Sequence, residues 1–116
     1  MSTTTDAREA LFTGKDDIVR SIYERLLEAL HTIGPFQEEP KKTSIHIVHR
    51  VGFAGVHPRK SYVILNLRTD HPIESQRIFK TEQVSKSRFH NEVKLASPGD
   101  IDEELLGWLK DAYSLG

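Results

Sequence analysis

Arg88-Phe89-His90-Asn91-Glu92-Val93-Lys94-Leu95 alternates, with Phe89, Val93 and Leu95 on one side and Arg88, His90, Glu92 and Lys94 on the other. Side chains two apart in a strand share a face, so this pattern predicts a strand packed on one side and wet on the other. Such half-wet strands belong to antiparallel sheets, since parallel sheets are covered on both faces by crossover helices. Immediately downstream, Ser97-Pro98-Gly99-Asp100 ends the strand and opens a helix, with Asp100 and Glu103 at capping-box spacing. Its apolar stripe is Ile101, Leu105, Trp108/Leu109 and Ala112.

Upstream, residues 70 to 87 contain Pro72 and little alternation; they read as a long polar loop with one short strand near Arg77 to Phe79. Before it, Ile45 to Val51 and Tyr62 to Leu67 are rich in β-branched residues at strand length, with Phe53 to Val56 as a strand between them. Proline in His57-Pro58-Arg59-Lys60 sits where a type I turn wants it, predicting a hairpin with a basic tip. Glu38 to Lys42 reads as a charged linker around Pro40. From Asp16 to Ile33, Ile18, Ile22, Leu26, Leu30 and Ile33 recur at three and four, with Val19, Tyr23 and Leu27 beside them, which predicts an amphipathic helix. Thr13 offers its cap and Gly34-Pro35 its stop. Residues 6 to 12 predict a short helical turn with Ala7, Leu11 and Phe12 inward.

Helix, a run of antiparallel strands, helix: this order predicts an α+β two-layer sandwich, a sheet of four to five strands with the N- and C-terminal helices on one face. Residues 1–15 read as an extension and 16–116 as a single domain, in keeping with a chain of 116 residues. With no cysteine, disulfides, thiol catalysis and Cys-ligated zinc are excluded. The polar Met1 to Asp6 segment is not a signal peptide and no stretch reaches the length of a membrane span, so a cytoplasmic protein without a membrane partner is expected.

Charge is sorted by region. Residues 41 to 94 carry eleven Lys/Arg against four Asp/Glu, and the remainder carries five against thirteen, for a net charge of −1. Five of the six histidines, His46, His49, His57, His71 and His90, lie in the basic block. A basic sheet flanked by acidic helices points to an anionic partner, nucleic acid among them. The ligand-binding candidates are Arg88, His90 and Lys94 on one strand, Arg50 with His46 on another, and Arg68 following Asn66 and Tyr62 on a third. Cations around an aromatic ring bind phosphate or single strands by neutralisation and stacking, whereas a merely solvated face with scattered ion pairs is the plain alternative. Ser85-Lys86-Ser87-Arg88 could wrap an anion before the strand begins.

Other chemistries find less support. His46 and His49, three apart, fall on opposite strand faces, and a His46–His90 site would need Glu92, so no metal ligands are assigned and no cofactor is implied. Glu92-Val93-Lys94 with Asp70 has the E-x-K pattern of a metal-dependent nuclease, an alternative to a non-enzymatic module. No hydrolase elbow or Gly-rich phosphate loop is present, so no catalytic residue is assigned. Trp108 reads as core and Tyr113 as half exposed, and a free sheet edge offers a route to a homodimer.

Three stretches carry a family resemblance: His57-Pro58-Arg59-Lys60-Ser61-Tyr62, Lys86-x-Arg88-Phe89-His90, and Asp102-x-Glu104-Leu105-Leu106-x-Trp108-Leu109-x-x-Ala112-Tyr113. Over roughly residues 16 to 114 the chain resembles an uncharacterised bacterial domain-of-unknown-function family. Members occur alone or fused to longer chains, some labelled as predicted transport proteins or associated with restriction-type nucleases. The resemblance implies a small α+β domain and a connection to nucleic acid, and it transfers no catalytic residue.

Overall fold

A computed structural model describes residues 3–115, with side chains from Ala7 onward. Two helices, α1 (Thr3–Ala10) and α2 (Asp17–His31), precede six strands: β1 (Gln37–Pro40), β2 (Ile45–His49), β3 (Val51–Pro58), β4 (Val63–Thr69), β5 (Ile78–Ser85) and β6 (Arg88–Leu95). A 3-10 turn at Pro98–Asp100 leads to the last helix, α3 (Glu103–Ser114). All strand pairs are antiparallel, and the order across the open sheet is β1-β2-β3-β4-β6-β5. The N-terminal and C-terminal helices contact it.

Alternation decides which side chains enter the core. One cross-strand row runs Ile45, Val56, Leu65 and Val93, all buried. These side chains join Val19, Ile22, Leu26 and Leu30 of α2 and Leu105 and Leu109 of α3 in a single cluster. Each such residue contributes about 1.5–3 kcal/mol by leaving water. Leu11 and Phe12 are buried in the same cluster, but Ala7, expected inward, is exposed.

The sheet has six strands rather than the four to five expected. The predicted charged linker is in part an edge strand, β1, whose Glu38 accepts hydrogen bonds from Arg8 (3.2 Å) and from the Tyr23 hydroxyl (2.5 Å). Burial, and then Glu38, raise the Tyr23 pKa well above its ordinary value. The predicted loop 70–87 contains a full strand on the other edge, β5. It lacks a readable pattern because every residue from Phe79 to Ser85 is exposed, so neither face selects apolar side chains.

Helix ends also differ. α3 is capped by Asp102, which accepts from the Leu105 N–H (3.0 Å), while the capping box upstream of it joins Ser97 and Asp100 around the 3-10 turn. α2 starts after Asp16 with no side-chain cap, since the Thr13 hydroxyl donates backward to the Glu9 carbonyl. Its buried stripe is Val19, Ile22, Tyr23, Leu26, Ala29 and Leu30, leaving Ile18 37% exposed. The predicted strand Ile45 to Val51 breaks at Arg50, where φ of 67° turns the chain into β3. A bulge opposite Ile47/Val48 leaves Phe53 out of register, and its buried ring meets Tyr113 edge-on. The β3–β4 hairpin forms as expected, but Pro58 ends the strand and the turn spans Arg59 to Tyr62, closed by the Arg59 N–H on the Tyr62 carbonyl (2.8 Å). No described helix is long and apolar enough to cross a membrane.

Candidate functional site

Registers that aim Ile45, Val56, Leu65 and Val93 into the core turn their neighbours outward. One outer row runs Glu39, His46, Gly55, Asn66, Glu92 and Lys80; the next on one side holds His57, Ile64 and Lys94, and on the other Arg68, His90 and Glu82. Between these rows lies a hollow of about 270 Å³. His46, His57, Asn66, Arg68 and His90 wall it, and the β3 segment Gly52 to Gly55 forms its floor. The glycine at 55 keeps the floor low: a Cβ there would lie 3.6 Å from His57 Nε2 and 3.8 Å from Asn66 Cβ.

Among the described residues, no carboxylate lines the hollow. Arg68 Nη1 donates to the Gly52 carbonyl (3.1 Å), and its buried Nε has no partner among the described residues. His57 titrates below the ordinary imidazole range, first because it is partly buried and then because Arg59 repels its proton; Glu92 pulls weakly the other way and His46 adds to the repulsion. At neutral pH this ring is therefore neutral, with one nitrogen able to donate and one to accept.

Of the six residues expected to bind a ligand, Arg68 and His90 face each other across β4 and β6 and wall the hollow together. Lys94 and Tyr62 form a separate pair beside it, Nζ 4.5 Å from the ring centroid. Arg88 precedes His90 on the same strand face, with Nη1 turned to the Ser87 carbonyl (2.9 Å). Arg50 is exposed in the β2–β3 turn. His46 and His57, both in the hollow, came into no expected ligand set together, because their approach depends on the β2–β3 register. The stretch Ser85 to Arg88 closes the β5–β6 hairpin.

Part of the basic block is cancelled by carboxylates, most of them from the acidic flanks. Lys60 pairs with Asp16, Lys41 with Glu39 (3.8 Å), Lys80 with Glu92 (3.6 Å), and Arg77 with Asp102 (3.0 Å) and Glu104 (3.1 Å). Arg77 also covers the Trp108 ring at 5.5 Å. By contrast, Arg50, Arg68, Arg88 and Lys94 have no ion-pair partner among the described residues.

The nuclease arrangement does not assemble. Glu92 opposes Asn66, and Asp70, four residues beyond Asn66 and just past the end of β4, stands about 13 Å away at strand spacing. One Mg²⁺ cannot take both carboxylates at its short bond lengths. Asp70 instead binds His71 Nδ1 (2.6 Å), which lowers its pKa. His46 and His49 do fall on opposite faces, the latter stacked on Tyr113 at 4.3 Å. No group of three or more His, Asp or Glu among the described residues could hold a metal ion.

Asn91 escaped the sequence reading. Fully buried on the core side of β6, it donates to the Leu67 carbonyl (3.3 Å) and the Thr69 hydroxyl (2.8 Å) and accepts from the Ile73 N–H (3.0 Å) and Thr81 (3.3 Å). It thereby ties the 70–77 loop and β5 to the sheet centre.

These features define a compact α+β protein with an open six-stranded antiparallel sheet and a polar hollow on its outer face. The chain belongs to the family described as domain of unknown function DUF5655, which matches residues 8–116, consistent with the resemblance carried by the three motif stretches. No curated protein and no solved structure matches it.

Proposed function

We propose that this chain is a non-enzymatic binding module, a two-layer sandwich whose helix-free sheet face takes an anionic partner, with single-stranded nucleic acid the version to test first. The carrying observation is the hollow: three imidazoles and a guanidinium meet there with no carboxylate in the lining among the described residues. Lys94 and Tyr62 beside it offer a cation and a ring for stacking, and Arg88 and Arg50 extend the same charge toward the sheet's end. Fluorescence anisotropy with short oligonucleotides at two salt concentrations tests this. Salt-sensitive binding is expected, and Arg88→Ala should weaken it and lower the salt slope by about one. Absence of binding at micromolar protein and low salt removes the nucleic-acid version.

A second reading, self-association, is favoured by the free β5 edge, where Phe79 is 58% and Val84 44% exposed. Light scattering decides it: a monodisperse monomer at high concentration leaves this edge without a role.

A further inference from the structure

Three imidazoles around one arginine form a more selective arrangement than a positive surface, because imidazole is the side-chain type whose ordinary charge change lies nearest neutral pH. We propose that the hollow is a discrete seat for a single phosphodiester-type oxyanion, anchored by Arg68, and that proton uptake at His57 strengthens its occupancy. The inference rests on the anion-binding reading above and adds to it a ligand group and a dependence on pH.

The geometry supplies both parts. Arg68 is held by one bond to the Gly52 carbonyl and keeps donors unmatched among the described residues, so an anion entering over the glycine floor meets a guanidinium already oriented. Charge-assisted bonds of this kind are about twice as strong as neutral ones. The walls then decide when the seat is attractive. His57 faces Arg59, His46 and Glu92. His46 lies opposite Glu39 of β1, itself shared with Lys41, and His90 lies between Arg68 of β4 and Glu82 of β5. Without a ligand, burial and then the cationic Arg59 keep the His57 ring neutral; a bound oxyanion opposes them, because its negative charge favours the protonated imidazole. Binding and protonation therefore strengthen each other, as linkage requires. A phosphodiester keeps its single charge throughout this range, so any change in affinity between acid and alkaline conditions belongs to the protein.

The test uses the full chain and a fluorescent ten-nucleotide oligo(dT), with anisotropy measured at about pH 5.5 and pH 8 at fixed ionic strength and circular dichroism confirming the fold at both. Binding at least about tenfold tighter at the lower pH is expected, a difference that His57→Gln compresses and His31→Gln, on α2, does not. Equal affinity at both pH values, or a pH response equally altered by His31→Gln, overturns the proton-linked seat while leaving nucleic-acid binding intact. No binding at either pH overturns both.

Discussion

Replacing Gly55 separates stability from binding, because the residue has a cost in the fold and a use in the hollow. Its φ is not in the left-handed region, so an L-residue is accommodated without strain. The added Cβ meets His57 Nε2 at 3.6 Å and Asn66 Cβ at 3.8 Å, ordinary contacts that force no shift. Glycine inside a strand is worth roughly 0.5–1 kcal/mol less than alanine through the backbone entropy it loses on folding. Gly55→Ala should therefore raise stability by that amount, or Tm by about 2–4 °C for a domain of this size. The methyl group meanwhile occupies the floor between His57 and Asn66, where an anion would reach the imidazole. Losing one charge-assisted hydrogen bond costs about 1.5–3 kcal/mol, which corresponds to roughly a ten- to hundredfold weaker affinity. Gly55→Val, with a β-branched side chain suited to strands, should block the hollow more fully while remaining folded. Thermal denaturation and oligonucleotide anisotropy on the same samples provide the two readouts. A variant with raised Tm and unaltered affinity would show that ligand does not enter the hollow.

Asn91→Ala should cost about 2–4 kcal/mol in urea denaturation, because it strands the Ile73 N–H and neighbouring groups in the core; a loss below about 0.5 kcal/mol would mean that water or another group replaces the amide. Arg77→Ala should destabilise by only about 1 kcal/mol, since its acidic partners are half exposed and solvent screens them. If Arg77→Met recovers most of that loss, packing against Trp108 outweighs the ion pairs. Asp102 has a folded-state pKa below its ordinary value, first through the Leu105 N–H and then through Arg77. Its stabilising contribution is therefore complete above the unfolded pKa, near 3.8, and disappears as pH falls through the lower folded value. Asp102→Asn, which keeps a capping oxygen but no charge, should flatten that acid limb in chemical denaturation series; an unchanged acid limb would place the titration elsewhere.

Local chemistry made several elements legible. The 3.6-residue stripe of α2, the stripe of α3 and the strict alternation of Arg88 to Leu95 each follow from one element burying one side, so the pattern is written within a single segment. Elements escaped where that coupling is absent. β5 has no covered face to impose alternation, and β1 becomes a strand only by pairing with β2, with Glu38 met by Arg8 and Tyr23 from distant positions. The Asp100–Glu103 spacing matched a helix cap, yet Asp102 took that role while Asp100 closed the preceding turn.

By itself, the sequence determined that this is an α+β protein with a sheet whose outer side carries Arg, Lys and His, because period and charge are properties of consecutive residues. Tertiary structure alone decided which of those side chains meet. His46 and His57 reach the same hollow as Arg68 and His90 through pairings across four strands, and a one-residue slip in any of these would turn a wall residue into the core. Such registers are set by the joint packing of distant apolar positions and by the bulge at Phe53, which is why Lys80 meets Glu92 across β5 and β6 while Arg68 meets His90 across β4 and β6.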